Sequence, residues 1–142
     1  MLALRQRRER RGANAIEFAL ILPIYCALMS GIFDYGWMFY YKSAMDSAVA
    51  YGCRQGSVID PGLAEVDIDT VLDTAETEIV AGVAQYGAAC DSSCEATVEV
   101  YGTNPSRGIL CRLTRTWTPL FGYGTESLTM ASTTVMRLEW QR

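Results

Sequence analysis

Five cysteines, one glutamate inside an apolar run and the absence of histidine define what chemistry this 142-residue chain can carry. Cys53, Cys90, Cys94 and Cys111 lie in a polar body, while Cys26 lies in a strongly apolar stretch. Lack of histidine removes the commonest general base and metal ligand, and with them every Ser-His or Cys-His nucleophile arrangement. Cys90-Asp91-Ser92-Ser93-Cys94 places three residues between its thiols, where redox pairs have two. No metal-ligand spacing, phosphate-cradling glycine loop or paired-carboxylate constellation stands out. The expectation is therefore a protein that is not an enzyme, with no catalytic residue, cofactor, metal or small-molecule substrate.

The four cysteines of the body are an even set, which suits structural disulfides in an oxidising compartment. Four thiols allow three pairings, and spacing does not choose among them. The favoured pairing is Cys90–Cys94 as a local loop clasp and Cys53–Cys111 as a tie between helix and sheet. Cys26 reads as an apolar filler. The competing reading is a membrane-tethered redox or other enzyme subunit whose cysteines do chemistry.

Charge is distributed unevenly. Arg5, Arg7, Arg8, Arg10 and Arg11 cluster at the N-terminus around Glu9, and from Ala13 onward seven basic residues face fifteen acidic ones. An acidic body argues against nucleic acid as a partner. The arginines instead precede Ala15–Phe33, AIEFALILPIYCALMSGIF, whose only charge is Glu17. Such a stretch approaches the roughly 20 apolar residues that cross a bilayer as a helix. Tyr35, Trp37, Phe39, Tyr40 and Tyr41 follow, an aromatic cluster suited to a membrane–water interface. By the positive-inside rule the N-terminus is cytoplasmic and the body lies across the membrane. A cleaved secretory signal fits poorly, because bulky Trp37, Met38 and Phe39 stand where small residues are needed. Lipidation at Cys26 fits no better, with Tyr25 before it.

Glu17 is the anomaly of the span. An acidic residue at the centre of a membrane helix costs about 2.5–3.5 kcal/mol on insertion scales, less near the edge. If a peptidase cuts after Gly12, the new α-amino group of Ala13 is a cation with a pKa of about 7.7–8.0, able to pair with the Glu17 carboxylate of a neighbouring subunit. The plainer reading is a snorkelling interfacial carboxylate. Pro23 either provides a flexible point in the helix or bends it incidentally, and Asp34, at the end of the apolar run, is expected to be solvated.

The segment RRGANAIEFALILP resembles type IV-like prepilins, and with GIFDYGWMFYYKSAMDSAVAYGCRQGS it is similar to the TadE-like pseudopilins of tight adherence pili. Thr118-Pro119-Leu120-Phe121-Gly122, Leu128-Thr129-Met130-Ala131-Ser132 and Val135-Met136-Arg137-Leu138-Glu139 also look like that family's C-terminal part. The resemblance implies removal of residues 1–12 by a prepilin peptidase, with Gly12 and Ala13 as the processing site and Glu17 and Phe18 as assembly and recognition residues. Phe18 replaces a common Tyr. It further implies a minor pilin or pseudopilin in a bacterial inner membrane, with sibling pilin-like subunits and pilus assembly machinery as partners. Whether it enters the extracellular filament, or acts as an accessory to an envelope machine, is left open.

The elements that must position these residues follow from periodicity. Met38, Tyr41, Met45, Ala48, Val49 and Gly52 recur at helical spacing, so the first helix continues to about Arg54. Its small residues Ser43, Ala44, Ser47, Ala48 and Ala50 favour close packing, most simply against the chain's own body. Gly56 and Asp60-Pro61-Gly62 break the pattern. Ile68, Val71, Leu72, Ala75, Ile79, Val83 and Tyr86 then predict a second helix stopping near Gly87, capped by Asp67 or Asp69, with an acidic exposed face. Alternation over Ala96–Tyr101, Ile109–Arg115 and Leu128–Glu139 predicts three antiparallel strands with a turn at Gly102–Gly108. The expected fold is α+β and pilin-like: residues 1–12 a basic cytoplasmic leader, 13–57 a transmembrane and assembly helix, and 58–142 a small periplasmic domain of one helix and a three-stranded sheet covering the first helix.

Overall fold

The computed structural model describes residues 2–59, 67–88, 90–103, 107–122 and 127–138, with side chains from residue 15 onward. Helix α1 runs over Leu2–Val58 and passes through Pro23 without a break; α2 spans Ile68–Gln85. Strands β1 (Cys94–Tyr101), β2 (Gly108–Trp117) and β3 (Leu128–Arg137) complete an α+β fold. The chain divides into two compact units, Met1–Gly36 and Trp37–Arg142.

The first unit is helix alone. Its apolar side chains point outward on every side, with Ile16, Phe18, Leu20, Ile24, Leu28, Ile32 and Phe33 all exposed. A helix apolar all round requires an apolar surrounding, either a protein core or a bilayer. Cys26 is a free thiol among these outward residues.

The second unit, the head, is a three-stranded antiparallel meander in the order β1-β2-β3, packed against both helices. Alternation makes one sheet face apolar: Ile109, Cys111, Leu113 and Trp117 of β2 are buried, as are Met130 and Ser132 of β3. The core joins these to Met45, Ala48, Val49 and Cys53 of α1 and to Val71, Ala75, Ile79 and Val83 of α2. The helical periodicity therefore marks the inward stripes, except that Tyr86 is half exposed. Of the small residues on α1, Ala44 and Ala48 face the core, whereas Ser43 and Ser47 face outward.

Local chemistry sets the element ends. Asp67 caps α2 by accepting from the Ile68 amide at 2.7 Å. At the other end Gly87 takes φ +70°, and its amide and that of Ala88 reach back to the carbonyls of Ala84 and Val83 at 3.0 and 3.2 Å, a Schellman closure. The first helix outruns its expected end at Arg54 by four residues. Gly56, taken from sequence as a breaker, is instead a point of close approach between the helices: a Cβ there would meet the Ala75 methyl at 2.6 Å. Gly52, one turn earlier, approaches Ile79 in the same way, where a Cβ would lie 2.5 Å from Cγ1 and 2.7 Å from the backbone nitrogen. Residues 60–66, which include the expected Asp60-Pro61-Gly62 turn, and 104–106 of the expected Gly102–Gly108 turn lie outside the described residues.

Candidate functional site

Glu17 and Phe18 stand on the exposed surface of α1, Phe18 at 65% exposure. Adjacent helix positions are separated by about 100° around the axis, so carboxylate and ring address different neighbours. Gly12 and Ala13 belong to the same continuous helix. Ala13 lies four residues before Glu17, one helical turn, which puts the two positions on one face about 6 Å apart along the axis. An α-amino group at Ala13 is thus within reach of a carboxylate at the level of Glu17. Asp34 differs from expectation: it is only 7% exposed, and so is shielded from solvent. The apolar run stops at Phe33, which suggests water at the next residue, but the end of such a run does not show what covers the next turn.

Where the head begins, aromatic side chains form a collar. The Trp37 ring lies 5.9 Å from Tyr40 and 5.4 Å from Tyr41, the latter edge-on. Arg115 of β2 sets its guanidinium 4.5 Å over the Tyr41 ring, a cation–π contact, and donates to the Ala88 carbonyl at 2.9 Å. The Tyr40 hydroxyl donates to the Tyr86 carbonyl. One residue further on, the Lys42 ammonium donates at 2.7 Å both to Asp46 and to the Ala131 carbonyl of β3. The Ser132 hydroxyl donates to the same Asp46 carboxylate at 2.6 Å. Partial burial raises the Asp46 pKa, but the hydrogen bonds from Lys42 and Ser132 and the lysine charge outweigh it and hold the carboxyl below its usual value. The aromatic cluster was legible in the sequence, but its partners Arg115, Asp46 and Ser132 were not. A lysine and an aspartate four apart on a helix could have been noticed, but the strand groups that share them could not.

Cys53 and Cys111 form a disulfide between α1 and β2, and Cys90 and Cys94 a second one closing the turn that leads into β1. In that turn the Ser93 hydroxyl and amide donate to the Asp91 carboxylate and lower its pKa, with a lesser contribution from the charge of Arg115. All four thiols of the head are thereby used in covalent ties. A shallow groove on the outer face of α2, lined by Asp73, Glu76, Thr77, Val80, Ala81 and Ala84, brings no set of reactive groups together.

The helix from Ala15 onward is long and apolar enough to cross a membrane. Residues 12–54 match the family model described as TadE-like protein. Neither the curated proteins nor the solved structures give a match. The family match begins at Gly12 and ends within the head part of α1, so it takes in the span and the collar and leaves out α2 and the sheet.

Proposed function

We propose, with TadE-like character over residues 12–54 as the premise, that this chain is a minor pilin or pseudopilin that acts through contacts and without catalysis. A prepilin peptidase removes residues 1–12, the basic leader, and leaves Ala13 as the new N-terminus. Residues 13–57 span the inner membrane and pack against sibling pilin-like subunits. The head stands on the periplasmic side, its disulfides suited to that oxidising compartment. The observation that carries the reading is Glu17 one turn after the Gly12–Ala13 bond, on a helix whose apolar side chains face outward. Such a helix buries its surface only against lipid or other helices, and a carboxylate in that setting needs a cation. The amine released at Ala13 of a neighbour supplies one and sets the axial register between subunits.

Mass determination of the N-terminus on membrane-extracted protein, made where the peptidase is present, is the direct test. A chain beginning at Ala13 is the expected result, and an intact leader overturns the reading. The pairing itself is tested separately by Glu17→Ala: processing continues, while co-purification of sibling subunits falls. Undiminished co-purification removes Glu17 from the assembly contact without touching the cleavage.

A further inference from the structure

Three ties fix how the sheet runs along the head part of α1. Cys53 is bonded to Cys111, Arg115 lies over Tyr41, and Lys42 and Asp46 hold Ala131 and Ser132. Going from Cys111 to Arg115 along β2 therefore means going from Cys53 back toward Tyr41. Strand β2 runs toward the end of the head at which the chain enters from the apolar span.

From Tyr41 to Trp37 the helix rises about 6 Å. From Arg115 to Trp117 the strand advances about the same distance, at roughly 3.3 Å per residue. Trp117 is thus about level with Trp37, and it pairs with Leu128 as the last rung of the sheet at this end, with Pro119, Leu120 and Phe121 following in the chain. Leu120 is 79% exposed and Phe121 51% exposed. Trp37, Phe39 and Tyr40 at the same end are about half exposed or more. Apolar and aromatic side chains gathered at one end of a domain mark an interaction surface. On the membrane reading of residues 15–33, only Asp34, Tyr35 and Gly36 separate the span from Trp37, so this end of the head is the one nearest in sequence to the bilayer.

We propose that Leu120 and Phe121 seat in the bilayer interface, giving the head a lipid contact beside its helix. A single helix leaves a domain free to turn about its own axis. Two contacts hold one side of the head toward the membrane, with Trp37 and Tyr40 at the headgroup level where such rings are favoured. The proposal rests on the membrane reading of residues 15–33 and goes beyond it.

The test uses the full chain with Cys26→Ser, so that the head thiols stay in disulfides and one new thiol takes an environment-sensitive fluorophore. Leu120→Cys and, separately, Phe121→Cys carry the label just past the end of β2; Thr103→Cys, just past the end of β1 at the opposite end of the sheet, is the comparison. Vesicles of phosphatidylethanolamine and phosphatidylglycerol with brominated acyl chains receive the protein, and flotation establishes that it is bound. Labels at 120 and 121 are expected to shift to the blue, to be quenched by the brominated chains and to resist iodide, whereas the label at 103 stays open to iodide. In vesicles that float with the protein, labels at 120 and 121 as open to iodide as that at 103 overturn the hairpin contact alone. Protein that does not float overturns the anchor, and the hairpin contact with it.

Discussion

Lys42 divides one ammonium between a carboxylate on its own helix and a backbone carbonyl on β3. Asp46 in turn collects the lysine and the Ser132 hydroxyl, so two residues on one turn of α1 join it to β3. The Asp46 carboxyl is held below its ordinary value, and this direction sets the sign of the pH effect. A carboxyl with a lower pKa in the folded state contributes stability that is fully present above the unfolded value and lost as pH falls through the folded one. Asp46→Asn should therefore melt below the parent protein at pH 6, by less than about 1 kcal/mol because the pair is half exposed. The two should converge as pH falls below about 4, near the carboxylate reference value. Near-ultraviolet circular dichroism melts across that range measure it, and a gap that widens with acid contradicts the arrangement.

At the scale of elements, the crossing of α1 and α2 decides how tightly the head packs. Gly52 has no room for a side chain against the Ile79 backbone. Gly52→Ala gains up to about 1 kcal/mol of helix propensity but forces an overlap that costs about 1–3 kcal/mol. Because the obstructing atom is backbone, the overlap wins, and thermal unfolding should show a loss of stability. Gly36→Ala, where a Cβ meets nothing within 4 Å, should keep the propensity gain. This crossing also shows what could be read without coordinates. Periodicity locates Met45, Val49, Val71, Ala75, Ile79 and Val83 because burial repeats with the helical turn. Alternation locates the three strands for the same reason. Gly52 was visible as part of a stripe and Gly56 as a helix breaker, yet their shared role as the contact points with α2 was not, since a glycine in sequence carries no sign of what approaches it. Similarly, the aromatic cluster Trp37, Tyr40 and Tyr41 is visible in the sequence, but its partner is not: Arg115 meets Tyr41 only because strand register and helix phase agree.

For the molecule as a whole, the Cys53–Cys111 bond is the longest covalent constraint, closing a separation of 58 residues, while Cys90–Cys94 closes only 4. Loop-closure entropy assigns about 4 kcal/mol to the first and about 2 kcal/mol to the second. Replacing Cys53 and Cys111 together by alanine should therefore lower the unfolding free energy more than replacing Cys90 and Cys94 together, as read by denaturant titration of the head signal in detergent. Equal losses would mean that the long tie does not act through the unfolded chain.

The same two bonds bear on the order in which the head comes together. In chain order Cys90 and Cys94 come before Cys111, so two other thiols stand between Cys53 and its partner. A short loop closes at far lower entropic cost than a long one. Once Cys90 and Cys94 have joined each other, Cys53 has a single partner left in the head. With the small clasp closed, the long bond is the sole pairing left to the remaining thiols of the head.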